Sequence, residues 1–538
     1  MPETTVRDAA LDLLRELGMT TVFSNPGSTE IDLLAGLPDD VRFMLGLHEG
    51  SVVGMATGHA LGTGRPALAV LHTTAGLGNA VGAIATARVN RAPVVVIVGQ
   101  QDSRHLVNEP FLVGRLNGLA GEYPVWCGQP GSAADVPSLL LRATNEAMLH
   151  RGPAVLVVPT DYWSAPWPDG RELASPRRLT VATGVRAAEV EDYVDVLGAA
   201  ASPVIVVGAD ADSAATWDAV GRLAEALGCA VWQEPFGARA GFRQDDPRFA
   251  GHLPAHRRQL RATLDPHDVV VVVGAPSLRQ YLFDEGPLFS PGTRVLSLVV
   301  DPTEATVSTA EQLVLGSLAP ACTALADRVR AVRAAPTPPG RPPQRRPRPP
   351  GPTRFDADGV LRELARRLPE DAVVVEECPS DRHRLLEALP ARRPGGFFSA
   401  AMGGLGFAMP AAAGLRLAQP DRPVVAVVGD GSSMYAIQSL WSAQHYGIGV
   451  LYVVLANGGY AIMDQLAAPH GRAPWPRHLG LDISSMARGL GCRAERVSTT
   501  AELAASMDDL IPGLRAAEAP VLIEAVLDDG AHEGAKTE

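Results

Sequence analysis

Residues 427–460 read VVGDGSSMYAIQSLWSAQHYGIGVLYVVLANGGY. An unbroken apolar run enters Gly429-Asp430-Gly431-Ser432-Ser433, a helical stretch follows, and a second apolar run leaves at Asn457-Gly458-Gly459. Apolar strands without polar alternation, separated by a helix, predict a parallel sheet covered on both faces. Glycines at a strand end let backbone amides approach a diphosphate, and the N-terminus of the following helix favours its negative charge. Asp430 and Asn457, at two strand ends, can both give oxygen to one hard cation, and Gly459 can add a backbone carbonyl. Magnesium suits such a set because it takes octahedral oxygen ligands and shares them with phosphates.

The same pattern recurs on the N-terminal side of this stretch. PALAVLH (66–72), APVVVIVG (92–99), PAVLVVP (153–159), SPVIVVG (202–208), DVVVVVG (268–274), RVLSLVV (294–300) and AVVVEE (372–377) are further strand candidates alternating with helical segments. The proline- and arginine-rich run APTPPGRPPQRRPRPPGPT (335–353) cannot build a core and reads as an extended linker. A softer break lies near 165–185. The expected fold is therefore α/β, with three doubly wound parallel-sheet domains over 1–180, 181–334 and 354–538.

Composition narrows the function. The net charge of −12 over 538 residues argues against a nucleic-acid binder. The single lysine, Lys536, excludes lysine-anchored pyridoxal chemistry and a P-loop. Five cysteines without CxxC spacing point to a reducing cytoplasm rather than to a disulfide framework or structural zinc. The opening MPETTVRDAALDLLRELG has an amphipathic helical pattern unlike a signal peptide, and no long apolar run suggests a membrane span. Gly76, Gly78 and Gly82 imitate a dinucleotide fingerprint, but the third glycine comes one residue late and no well-placed acidic ribose ligand follows.

With Gly-Asp-Gly followed after 25 residues by Asn457, and with FSNPGSTEIDLL (23–34), LHEGSVVGMATGHA (47–60), LHTTAGLGNAVGA (71–83), PVVVIVGQQ (93–101), VVVGAPSLRQY (271–281) and AAMGGLGFAMPAA (400–412) in order, the chain resembles the thiamine-diphosphate-dependent enzymes, most like their benzoylformate decarboxylase branch. The resemblance implies thiamine diphosphate and Mg2+ as cofactors and the non-oxidative decarboxylation of a small-molecule 2-keto acid to an aldehyde. It assigns Glu49 to the aminopyrimidine ring, Ser28 to the substrate carboxylate, His72 to proton transfer, and Leu405 to propping the cofactor in a bent conformation. Gly404, Gly429, Gly431, Ser432, Ser380 and Tyr460 would complete the cofactor's surroundings, with Asp430, Asn457 and Gly459 on the metal. A carboxyl group taken out of water after VRFMLGLH also suits the role given to Glu49.

The chain departs from that pattern in its substrate-facing half. Tyr281 stands where the branch has a second active-site histidine, and three readings stay open for it: proton donor, pocket wall, or packing. Pro379 replaces a threonine beside Ser380. Ile462, Leu466 and Ser399 occupy substrate-pocket positions, Ser399 in place of an aromatic residue. The alternative activity is a carboligase or lyase of the same cofactor class. Its acetolactate-synthase-like form implies FAD in the middle domain. The resemblance implies a homodimer as the smallest functional unit, with a tetramer common among relatives, and a site shared between subunits.

Overall fold

The computed structural model describes residues 4–168, 170–171, 175, 184–276, 278–333, 354–471, 474–476 and 480–528. The linker expected at 335–353 and part of the softer break near 165–185 lie outside them.

Three six-stranded parallel sheets carry the chain. The first contains β1 (Thr21–Asn25), β2 (Arg42–Leu45), β3 (Ala67–Leu71), β4 (Val94–Gln100), β5 (Trp126–Gly128) and β6 (Pro153–Pro159), in the order β2-β1-β3-β4-β6-β5. The second contains β7 (Pro203–Val207), β8 (Val231–Gln233), β9 (Phe249–His252), β10 (Val269–Val273), β11 (Arg294–Val299) and β12 (Gln312–Leu315), in the order β12-β11-β10-β7-β8-β9. The third contains β13 (Val373–Glu377), β14 (Phe397–Ser399), β15 (Val424–Gly429), β16 (Leu451–Ala456), β17 (Arg493–Val497) and β18 (Val521–Val526), in the order β14-β13-β15-β16-β18-β17. The first and third sheets thus share one topology, while the second has the doubly wound order of dinucleotide-binding folds.

All nine apolar runs read from the sequence are strands, and the central ones, such as Val94–Gln100 and Val269–Val273, are buried along their whole length. Burial on both faces is what removes the polar alternation. Gly76, Gly78 and Gly82 lie inside the helix Thr73–Val89, so they form no phosphate-binding loop. The helical stretch after Gly-Asp-Gly is two short helices, Asp430–Ser433 and Ser439–His445, rather than one. Among the described residues, no helix is long and apolar enough to cross a membrane.

The helices Glu49–Thr63 and Ala408–Ala418 join the first and third sheets. They touch backbone to backbone: a Cβ at Gly58 would stand 2.1 Å from the Ala411 carbonyl oxygen, and one at Gly414 would stand 2.0 Å from that of Met55. Gly54 lies beside Pro410 and Gly62 beside Ala418, so the pair runs parallel and both helices start at the same end. Only glycine permits this approach.

Candidate active site

Glu49 begins the helix Glu49–Thr63 and is buried. Asn25 Nδ2, at the end of β1, donates to its Oε1 at 3.0 Å, and Asn79 Nδ2 donates to its Oε2 at 3.1 Å. Two side-chain amides therefore fix the plane of this carboxylate. Ser28 is exposed and opens the short turn Ser28–Glu30 after β1, whose other two residues are buried. His72 stands at the end of β3, with Nδ1 3.1 Å from Glu30 Oε2 and 3.0 Å from Thr29 Oγ1. Glu30 is buried and also accepts from the Gly27 amide at 2.8 Å. This pairing assigns the Nδ1 proton to the carboxylate side and leaves Nε2 free of it.

In the third sheet, Gly429 pairs opposite Leu455, so Asp430 and Asn457 leave neighbouring strands side by side. The Asp430 carboxylate accepts the amides of Gly431 and Gly458, both at 2.8 Å, and Asn457 Oδ1 accepts that of Gly459 at 3.1 Å. Gly458 has φ +72°, which turns the chain so that Gly459 and Tyr460 follow closely. Ser432 is buried in the short helix after Asp430. Ser380 Oγ accepts the Ile462 amide at 3.1 Å, tying the loop after β13 to the helix Ala461–Ala467 that carries Ile462 and Leu466. Gly404 and Leu405 are half-buried in the loop before the helix Ala408–Ala418.

Two residues lie in less expected places. Tyr281 is 60% exposed, with its ring edge-on to Phe236 at 6.4 Å between centroids. Ser399 is fully buried, and its hydroxyl accepts Arg382 Nη1 at 2.5 Å. Arg382 is held in turn by Glu376 Oε2 at 2.6 Å. A guanidinium thus fills space at the position assigned to a pocket aromatic. Asn25, Asn79, Glu30 and Arg382 were not singled out from the sequence. Only Glu30 left a local signal, an acid three residues after the Gly27 turn.

Residues 4–115 match "Thiamine pyrophosphate enzyme, N-terminal TPP binding domain", 190–325 match its central domain, and 382–525 its C-terminal TPP binding domain. The chain belongs to the thiamine pyrophosphate enzyme family. The enzyme is 37% identical over 534 residues to the benzoylformate decarboxylase of Pseudomonas aeruginosa, covering 97% of this chain and 98% of that one. An acetolactate synthase large subunit of Corynebacterium glutamicum is 24% identical over 556 residues, covering 96% and 86%. Among solved structures, the Rhodococcus jostii RHA1 thiamine diphosphate-dependent 4-hydroxybenzoylformate decarboxylase superposes with a TM-score of 0.91 at 33% identity, covering 98% of this chain and all of that one. Benzoylformate decarboxylase from Polynucleobacter necessarius gives 0.89 at 30%, covering 98% and 99%.

The enzyme's second sheet reverses its strand order between β7 and β10, where a dinucleotide fold places its ligand. Here protein side chains take that place. The Ala209 amide donates to Glu234 Oε1 at 3.0 Å, and burial pushes the Glu234 carboxyl up to about 7. Asp210 is paired with Arg91 Nε at 3.2 Å and Arg151 Nη1 at 2.9 Å, and Arg239 Nη2 donates to the Ala209 carbonyl at 3.1 Å. Arg91 also holds Asp301 at 2.5 Å and Glu304 at 3.1 Å. A carboxyl side chain, Glu234, seated on the Ala209 amide that would meet a diphosphate does not fit FAD.

Proposed function

We propose that the enzyme decarboxylates a 2-keto acid of the benzoylformate type, taking up one proton and releasing an aldehyde and carbon dioxide. The relatives named for benzoylformate and 4-hydroxybenzoylformate decarboxylation support this reading. Thiamine diphosphate, when bound, supplies the electron sink for the charge left on carbon as carbon dioxide departs. The chain's own residues divide the remaining work. Asp430, Asn457 and the Gly459 carbonyl form an all-oxygen donor set with one carboxylate, which fits Mg2+ sharing ligands with a diphosphate. Glu49, oriented by Asn25 and Asn79, shares a proton with the aminopyrimidine ring. Ser28 orients the substrate carboxylate, and Leu405, Ile462 and Leu466 give apolar surface.

The observation that carries the proposal is His72. With Nδ1 committed to Glu30 and Thr29, Nε2 is the atom that moves a proton, and an aldehyde product requires one to be delivered. The filled crevice of the second sheet weighs against an FAD-carrying, acetolactate-synthase-like form. Tyr281 favours a second reading, carboligation, because an exposed tyrosine stands where the branch has a second active-site histidine. We place the enzyme in the cytoplasm as a homodimer or tetramer. Exposed Leu47, Phe111, Met402 and Tyr435 supply apolar surface for a second copy.

The test is product analysis with benzoylformate, using protein loaded with thiamine diphosphate and Mg2+. Benzaldehyde, lost in Glu49→Ala and on chelation of the metal, is the expected result. A 2-hydroxyketone as main product would favour carboligation. Cofactor binding without turnover would reject this substrate.

A further inference from the structure

Glu377 ends β13, and its carboxylate is buried. Its Oε1 accepts the Gly406 amide at 2.7 Å, and its Oε2 accepts those of Phe407 at 2.7 Å and Ala408 at 2.6 Å. Three successive amides therefore converge on one side chain from 29 to 31 residues away. They lead into the helix Ala408–Ala418: Ala408 is its first residue, Phe407 is its N-cap and offers no side-chain acceptor, and Gly406 belongs to the turn before it. The segment ahead of that helix bends through Gly403 at φ +73° and Gly406 at φ +92°, with Leu405 between them. At Gly406 a Cβ would come 3.2 Å from Tyr435 Cβ, so the turn is also tight.

A serine or aspartate at the N-cap position 407 would reach only amides further into the helix, so a local cap could not serve these three. Burial is expensive here: it pushes the Glu377 carboxyl up to about 7 against the pull of the three amides. What the remote carboxylate adds is a fixed relation between the end of β13, where Ser380 follows, and the loop that presents Gly404 and Leu405. We propose that Glu377 is a positioning residue that holds the Gly404–Phe407 turn so that Leu405 meets the bound cofactor. This rests on the assignment of Leu405 to thiamine diphosphate made above.

The division of acceptors between the two oxygens makes the proposal specific. Glu377→Gln can keep one oxygen on Phe407 and Ala408, but it turns an NH2 group towards the Gly406 amide. The damage should therefore be centred next to Leu405. The experiment compares the full-length wild type with Glu377→Gln, Leu405→Ala and the double variant. It measures thiamine diphosphate affinity by calorimetry with Mg2+ present, amide exchange of the 400–408 peptide, and the near-ultraviolet dichroism of the bound cofactor. In Glu377→Gln, the Kd should rise about tenfold or more and amide exchange at Gly406–Ala408 should quicken by a similar factor. The dichroism should change while the Tm stays within a few degrees. The double variant should bind no more weakly than Leu405→Ala. An unchanged Kd in Glu377→Gln, or losses that add in full in the double variant, would overturn the proposal. Should Glu377→Gln fail to fold, Glu377→Asp, whose shorter arm cannot span all three amides, replaces it with the same expectations. A wild type that binds no thiamine diphosphate would instead refute the functional reading, leaving the exchange measurement to report on the turn.

Discussion

In the second sheet β7 and β10 run into Gly208 and Gly274, and in the third sheet β13 and β15 run into Glu377 and Gly429; both pairs flank a reversal of strand order. Geometry alone would make either place a ligand site. At the third sheet, the buried Asp430 carboxylate accepts the amides of Gly431 and Gly458. At the second, Asp210, Asp301 and Glu304 are ion-paired with Arg91 and Arg151, and Glu234 takes the Ala209 amide. Corresponding places in two doubly wound sheets thus hold glycine amides around one carboxylate in the third, the proposed cofactor site, and an interdomain ion-pair clamp in the second. The difference lies in which side chains follow the strands, not in how the strands pair.

The widest separation between the two places is expected from Asp430→Ala. Removing the one carboxylate of the proposed donor set should cost activity on the order of 10^3-fold or more, a larger effect than the loss of about 1–3 kcal/mol of stability from the Gly431 and Gly458 amides left unpaired. Calorimetric titration of the cofactor with and without Mg2+ checks it, and retained tight binding would break the comparison. Arg91→Ala should do the reverse. It strips a buried cation from three carboxylates, so stability should fall by about 3–5 kcal/mol, with cofactor affinity kept in the folded fraction. Denaturant titration measures the loss, and FAD added to the wild type should leave the Tm where it was.

A smaller effect separates the charges within the clamp. Asp212, buried beside Arg239, accepts the Gly395 amide at 3.0 Å, and burial pushes its carboxyl from 3.8 up to about 6. A raised folded-state pKa means the folded chain binds the proton more tightly. The stability it contributes is whole below pH 3.8 and is lost as pH rises through about 6. Asp212→Asn should therefore gain on the wild type by about 1 kcal/mol per pH unit between these values and run level above them. A difference that is flat with pH would show that the carboxyl titrates normally.

Much of the enzyme was legible in its residues. The nine apolar runs, the Gly-Asp-Gly and Asn-Gly-Gly strand ends, and the acid at Glu49 are local features, because burial on both faces and tight turns restrict composition over a few consecutive positions. That is also why the order of motifs was enough to indicate the family. The sequence predicts a helical stretch after Gly-Asp-Gly, since nothing in Met434–Gln438 breaks helical periodicity; the chain turns there between the helices ending at Ser433 and beginning at Ser439.

What only the tertiary structure decided are the partnerships made across long stretches of chain. Glu30 meets His72 across 42 residues, Glu377 meets Ala408 across 31, and Arg91 meets Asp301 across 210. A buried polar group must find a partner, but its own sequence neighbourhood does not say which one. The strand runs and the glycine-rich turns were therefore set by short-range constraints, while the orientation of His72, the turn around Leu405 and the closing of the second crevice were set by packing.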